Sequence, residues 1–250
     1  IRRLAFKELL LRCWRRETEP DENEWPTRRS HTLEFPGQFL GDLPSLTARM
    51  GHVSMLELTG NGSRRGASDF LRAFPNLTSL AVERHALTSI PDSIFDLEHL
   101  QHLRLNDNWI RLRPDSIGQM SRLTNLICLD LSDNPLTHSP DLRNLTRLVM
   151  VYLHNCRLNE VPVGTFSLPR LQALDLSDNL IQHLPTDLLE MPLPLNDDSD
   201  LSGNPWSAAS MAILRAYYRQ TGYELGVEEA MFDENGVALI PPSTPEPMEE

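Results

Sequence analysis

One pattern, LxxLxLxxNxL, returns along this chain at nearly constant intervals, and it constrains the fold more tightly than any other feature of the sequence. Leu100, Leu103, Leu105, Asn108 and Ile110 fit it without exception. Leu126, Leu129, Leu131, Asn134 and Leu136 fit again, as do Leu171, Leu174, Leu176, Asn179 and Ile181. Looser copies run through Val53/Leu56/Leu58/Asn61, Leu77/Leu80/Val82/His85/Leu87 and Leu148/Val151/Leu153/Cys156/Leu158. Two degenerate copies flank these six, one at Leu33, Phe35, Gln38 and Leu40, the other at Leu201, Asn204 and Trp206. With template position 1 at Ser30, Val53, Leu77, Leu100, Leu126, Leu148, Leu171 and Asn196, the steps are 23, 24, 23, 26, 22, 23 and 25 residues.

That spacing is the leucine-rich-repeat period. L-x-L is a short strand whose alternate residues point inward while the residues between them face solvent. The Asn amide hydrogen-bonds turn backbone that would otherwise be buried unpaired, predicting a structural ladder of Asn61, Asn108, Asn134, Asn179 and Asn204. Cys156 and His85 stand in the same slot and read as structural substitutes. The second halves also recur, at Ile90-Pro91…Phe95, Val161-Pro162…Phe166 and Leu184-Pro185…Leu189. These read as convex-side turns or short helices with proline at the first helical position. No single repeat can cover its own apolar face, so both ends need caps.

The expected fold is therefore an α/β solenoid, a horseshoe of about eight repeats with a parallel concave sheet and helical caps at both ends. Residues 1–29 are the N-terminal cap, where Phe6, Leu9, Leu10, Cys13 and Trp14 fall at helical spacing. Repeats fill 30–206. Residues 207–226 are the C-terminal cap, N-capped by Ser207 and ending near Gly222. Residues 227–250, with seven acids, no base and the run Pro241-Pro-Ser-Thr-Pro-Glu-Pro247, read as linker or tail.

Charge narrows the partners. The net charge is −12, with 35 acids against 23 bases, which argues against a nucleic-acid partner because that affinity is built from clustered Lys and Arg. The longest apolar runs are too short to span a bilayer. The basic start, Arg2-Arg3…Lys7…Arg15-Arg16, reads as a solvated cap helix in preference to a membrane-surface anchor. The sequence begins with Ile, without an apolar leader, and reads as a piece of a longer polypeptide. Three scattered cysteines fit a reducing compartment and neither a disulfide framework nor a C-x-x-C zinc site.

Function in such a solenoid is expected on the concave face, at template positions 3, 5, 7 and 8. Position 5 reads Glu34, Glu57, Ala81, Arg104, Asp130, Tyr152, Asp175 and Asp200, mostly acidic, and a basic partner would relieve the repulsion. The candidate partner-binding residues are Glu57, Glu83, His102, Arg104, Asp130, Met150, Tyr152, His154 and Asp175. Tyr152 and Arg104 lead, since interface energy concentrates on aromatic and arginine anchors. Cys128, expected to face solvent beside His102, raises nucleophilic catalysis, but an open sheet offers no oxyanion hole and little exclusion of water. His99-x-x-His102 should not chelate, because His99 precedes the strand. No catalytic residue, metal or cofactor is expected within these residues.

Three segments carry a resemblance: Leu10-Leu-Arg-Cys-Trp-Arg-Arg16 before the repeats, the Leu-Asp-Leu-Ser-Asp-Asn copies within them, and Leu201-Ser-Gly-Asn-Pro-Trp206…Leu214-Arg-Ala-Tyr217…Thr221-Gly-Tyr-Glu-Leu-Gly226 after them. Together the chain resembles the leucine-rich-repeat region of NEL-type bacterial ubiquitin ligases, large Pseudomonas-like effectors with a toxin-like N-terminal region. The resemblance implies a substrate-recognition and autoinhibitory role for these repeats. It also implies a separate helical domain whose Cys-x-Asp motif takes ubiquitin as a thioester. Cys128-Leu129-Asp130 matches that motif in letters only, because Leu129 is a core position. The implied partners are a host protein substrate and, through the missing domain, ubiquitin and a ubiquitin-conjugating enzyme. The implied location is the host cytoplasm after secretion. The residues alone leave a second reading open, a non-enzymatic scaffold that binds a protein partner. Lys7 is the only lysine, which fits either avoidance of self-ubiquitination or the codon bias of a GC-rich genome.

Overall fold

A computed structural model describes residues 2–17, 31–35, 42–60 and 66–239. Seven strands form one parallel sheet in chain order: β1 (His31–Phe35), β2 (Val53–Thr59), β3 (Ser79–Glu83), β4 (His102–Arg104), β5 (Cys128–Asp130), β6 (Met150–Tyr152) and β7 (Ala173–Asp175). An eighth rung is a single parallel bridge from Asp175 to Asp200. Each crossover returns the chain one strand spacing further on, so sequence order and spatial order coincide.

The register stays in phase with the template. Leu33, Leu56, Leu80, Leu103, Leu129, Val151 and Leu174 align as one row, and all are buried. The second leucine of each L-x-L, from Leu58 through Val82, Leu105, Leu131, Leu153 and Leu176 to Leu201, is buried behind it. Stacking thus builds one continuous core, in which each fully buried leucine contributes about 1.5–3 kcal/mol.

The asparagines do as their spacing predicts. Asn134 Nδ2 donates to the carbonyls of Leu105 (2.9 Å), Leu131 (2.9 Å) and Ser132 (3.1 Å), and its Oδ1 accepts from Ile110 N at 2.9 Å. Asn108, Asn179 and Asn204 repeat the arrangement, while Asn61 lies outside the described residues. Cys156 substitutes with Sγ contacts to Leu131 O at 3.1 Å and His154 O at 3.4 Å. His85 fills its slot at 3% exposure and approaches the Leu58 carbonyl without closing a well-formed hydrogen bond. Burial holds its pKa below the usual histidine value. Both substitutes change the turn: Ala86 (φ 55°) and Arg157 (φ 59°) take left-handed backbone right after them. The next asparagine then accepts two amides in place of one, Asn108 from His85 and Leu87, Asn179 from Cys156 and Leu158.

The convex side carries α2 (Ala67–Leu71), α3 (Pro114–Met120) and 3-10 turns at Asp92–Asp96, Thr165–Ser167 and Thr186–Glu190. The prolines expected at first helical positions sit earlier: Pro91 and Pro185 occupy the N-cap, where extended ψ suits the preceding chain. Among the described residues Pro114 holds a first helical position, filling a site where the missing N–H costs nothing.

Both caps form. In α1 (Arg2–Trp14) the buried stripe is Phe6, Leu10 and Cys13, with Phe6 stacked at 5.9 Å on Phe70. His52 Nε2 donates to Cys13 O at 2.8 Å, tying the end of the helix to the turn before β2. Trp14, expected to face inward, is 54% exposed, because one more step of about 100° carries it off that stripe. In α4 (Ala208–Thr221) Ser207 Oγ accepts from Ser210 N, and Gly222 closes the helix at φ 83°. Tyr217 is buried, and its hydroxyl accepts from Leu195 N at 2.7 Å. The linker expected from 227 onward is not what 227–239 form. Val227 and Ala230 are buried, Glu228–Met231 form a 3-10 turn, and Phe232 bridges Ala238. Val227 and Ala230 join the core and the turn packs on α4, and backbone pairing continues to residue 239. Residues 240–250 lie outside the description.

Candidate functional site

Template positions 3, 5 and 7 become three parallel rows across the concave sheet. Thr32, Met55, Ser79, His102, Cys128, Met150 and Ala173 form the position 3 row. Glu34, Glu57, Ala81, Arg104, Asp130, Tyr152, Asp175 and Asp200 form the position 5 row. Glu83 and His154 stand at position 7. All nine candidate binding residues therefore share one face.

Arg104 divides that face. Its guanidinium reaches across Ala81 to Glu57 Oε1 at 2.7 Å and lies 4.0 Å from Glu83. The small alanine leaves room for this crossing. The N-terminal half thus has one internal cation set against Glu57 and Glu83, which offsets part of its acidic charge. Half-exposed pairs of this kind contribute only about 0–1 kcal/mol to folding.

The C-terminal half is built differently. Asp130, Asp175 and Asp200 each turn Oδ1 onto the amide two residues later, Ser132, Ser177 and Ser202, at 2.8–2.9 Å. Much of the acidic row is therefore part of the turn chemistry that ends each strand. Oδ2 of each remains for other contacts. The Ser177 hydroxyl also donates to Asp175 Oδ1 at 2.5 Å. It accepts from His154 Nδ1 at 2.8 Å, which places the imidazole proton on Nδ1. His154 also lies 3.8 Å from Asp178 Oδ2. Tyr152 sits between Asp130 and Asp175 in register. Burial, followed by the charges around it including Asp198, Asp130 and Asp175, raises its pKa. Asp130 is also raised, by burial against the opposing pull of the Ser132 hydrogen bonds.

Sequence reasoning missed the continuation of this surface. Asp197, Asp198, Tyr223 and Glu224 join Asp175 and Asp200, both already read into the concave row, around a recess of about 650 Å³ at the C-terminal end of the sheet. The Asn196-Asp-Asp-Ser-Asp200 run was the available signal, obscured because this repeat lacks its leading leucine.

Cys128 is corrected on exposure. It aligns with His102 but is 7% exposed, because the longer Met150 and His102 flank it in the row. Burial pushes its thiol up to about 11 and pulls His102 down, with Arg104 adding to the latter. A neutral thiol beside a neutral imidazole is the reverse of an activated pair. Cys156 is pushed up to about 12, chiefly by burial. His99 is exposed and off the sheet. Among the described residues no cluster of His, Cys, Asp or Glu is placed to hold a metal, and no helix is long and apolar enough to cross a membrane.

Repeats of this length, in this register and with this asparagine ladder define a leucine-rich-repeat solenoid, the class whose members bind protein partners. Residues 75–136 and 146–193 match the family described as leucine rich repeat. The chain is similar to the human volume-regulated anion channel subunit LRRC8A, 33% identical over 135 residues, 53% of this chain and 16% of that protein. It is also similar to mouse vasorin, 36% identical over 119 residues, 46% of this chain and 17% of that protein. The chain thus spans about a sixth of the length of these relatives. In fold it is similar to the Arabidopsis receptor kinase HAESA in complex with the peptide hormone IDA and the co-receptor SERK1, at TM-score 0.51 and 24% identity, covering 65% of this chain and 27% of that one. PEPR1–AtPEP1 gives TM-score 0.52 and 24% identity, covering 66% of this chain and 23% of that one.

Proposed function

We propose that the concave sheet is a protein-binding face and that it acts as the recognition module of a larger protein. The observation that carries this is the in-register row from Arg104 through Asp130 and Tyr152 to Asp175. It puts an aromatic anchor and ionic groups on an open, rigid sheet, where interface energy concentrates. The test is a photo-crosslinking amino acid in place of Tyr152, compared with the same group at the convex Arg143. Partners trapped only from Tyr152 should then lose binding to the purified Tyr152→Ala, Arg104→Ala chain, with circular dichroism unchanged. Unaltered binding would move the site off this face.

We infer further that the larger protein is a bacterial ubiquitin ligase effector working in host cytoplasm, with these repeats selecting the host substrate and restraining a separate catalytic domain. Two features support this: the resemblance of Leu201–Gly226 to that family's exit from the repeats, a segment folded around Tyr217 and Leu225, and the single lysine in 250 residues. Its partners would include ubiquitin and a ubiquitin-conjugating enzyme. A ubiquitin-thioester assay on the full product of the gene tests it, and a sensitive negative refutes it. The second reading, a non-enzymatic scaffold, is supported by relatives whose names describe a volume-regulated anion channel subunit and a probable inactive kinase.

A further inference from the structure

The two halves of the concave face differ in one respect that specifies a ligand. In the N-terminal half an arginine is already seated: Arg104 lies across the strands and pairs with carboxylates of both preceding repeats, Glu57 and Glu83. In the C-terminal half the row offers Asp130, Asp175 and Asp200, and none of them has a cation within 4 Å among the described residues. Each has committed Oδ1 to its serine amide, so the second oxygen is held in place by the backbone. Between two of them stands Tyr152, part-exposed, and Met150 and Ala173 line the neighbouring row.

We propose that this half of the sheet binds an extended segment of another protein carrying arginines three residues apart, one guanidinium stacking on Tyr152 and pairing with Asp130, the next pairing with Asp175 and reaching Asp200. The proposal rests on the reading of the concave face as partner-binding and names the chemistry of the partner. Geometry sets the spacing. Asp130 and Asp175 are two strands apart, about 10 Å at 4.8 Å per strand. A peptide crossing the strands at right angles in the polyproline-II form, with three residues per turn and a rise of about 3.1 Å, presents residues i and i+3 on the same side about 9 Å apart, matching the two carboxylates. Arginine is specified over lysine because its planar fork both stacks on an aromatic ring and binds carboxylate through two N–H groups. Tyr152 itself stands at the place in the row that Ala81 holds in the other half, so the guanidinium lies over its ring where Arg104 lies over the alanine.

The experiment uses the whole chain and a fluorescein-labelled Gly/Ser peptide of about nine residues with arginine at every third position, followed by anisotropy. Asp130→Asn with Asp175→Asn should weaken binding at least tenfold. Asparagine keeps the Oδ1 that accepts from Ser132 and Ser177, so the fold is preserved while the charge is removed. Tyr152→Ala should weaken it several-fold, and Asp92→Asn with Asp115→Asn on the convex side should leave it unchanged. A lysine-substituted peptide binding as tightly as the arginine one would overturn the stacked geometry, leaving only a diffuse acidic surface. Binding that is indifferent to the double substitution would overturn the site. If sedimentation shows dimers of the wild type that dissociate in the double variant, the occupant is the basic α1 of a second copy, which also overturns it. If the peptide fails to bind while Tyr152→Ala with Arg104→Ala abolishes binding of the crosslinked partner, the arginine specificity falls and the concave binding face stands.

Discussion

The asparagine ladder makes a quantitative claim that ordinary conservation of a motif would not. Asn134 and Asn179 occupy equivalent positions, are 1% and 3% exposed, and look interchangeable in sequence. Their loads differ. Asn134 Oδ1 accepts from one buried amide, Ile110 N, whereas Asn179 Oδ1 accepts from two, Cys156 N at 3.0 Å and Leu158 N at 2.9 Å. Both donate through Nδ2 to three carbonyls. A buried donor left without an acceptor costs about 1–3 kcal/mol, and the orphaned carbonyls add a smaller, shared amount. Asn134→Ala should therefore destabilise by about 2–3 kcal/mol and Asn179→Ala by about 4–5 kcal/mol. At ~2–4 °C per kcal/mol for a chain of this size, the second variant should melt roughly 4–8 °C below the first. Asn125→Ala, which removes exposed hydrogen bonds to Glu98 O and Arg147, is the control and should cost under about 1 kcal/mol. Differential scanning calorimetry on the three variants reads all of this directly. Equal losses for Asn134→Ala and Asn179→Ala would refute the reasoning that the left-handed turn at Arg157 loads its second amide onto the next asparagine.

Other expectations concern single groups. Burial raises the folded-state pKa of Asp130, so folding disfavours its charge and its contribution to stability falls as pH rises above the unfolded value of about 4. Asp130→Asn should accordingly raise the melting temperature at pH 7, with the gain vanishing below about pH 4; a gain that persisted at pH 3 would contradict this. Cys128 and Cys156, pushed up to about 11 and about 12, should resist iodoacetamide at pH 8 for hours under native conditions and react once unfolded in urea, as read by intact mass. Gly66 sits at φ +84° with an added Cβ only 2.2 Å from Leu43 O, whereas Gly118 has open space in α3. Gly66→Ala should cost more than about 2 kcal/mol, and Gly118→Ala should stabilise by about 0.5–1 kcal/mol. Tyr217→Phe orphans the buried Leu195 amide and should cost about 1–3 kcal/mol by urea titration.

Much of this was legible in the sequence because the repeat couples local pattern to global position. Once Leu103 is assigned to the core, the register of Leu80 and Leu129 beside it follows, and with it the face on which Arg104 and Tyr152 must lie. The caps were readable for a similar reason: Ser207 and Gly222 carry their own start and stop chemistry. What escaped was decided by contacts between repeats. Trp14 belongs to a periodic helix, yet only the presence of Phe70 and His52 determines which stripe turns inward. Cys128 holds a nominally solvent-facing position, and the bulk of Met150 and His102 covers it. The segment after Val227 looks like linker by composition, but the buried Val227 and Ala230 and the bond from Arg215 to the Phe232 carbonyl hold it against α4.

The acidic row shows how a single letter can carry two causes at once. Asp at position 5 followed by Ser at position 7 is explained without any partner, since Oδ1 of Asp130, Asp175 and Asp200 terminates the strand by accepting the serine amide. If that were the whole cause, the residue at position 5 could as well be asparagine, which offers the same oxygen without adding charges to neighbouring strands. Like charges about 5–10 Å apart on a face open to water repel modestly and are screened by salt, so the penalty is small but real, and Asp130, drawn out of water by its neighbours, bears an extra share. In the N-terminal half the same penalty is relieved by Arg104, seated in the gap left by Ala81. The C-terminal half has Tyr152 at the place in the row that Ala81 holds, and among the described residues no arginine lies across it. Charge at positions where an isosteric neutral residue would serve the fold, in a row that also carries the part-exposed Tyr152, is the physical ground for proposing that this half of the sheet takes a cationic partner.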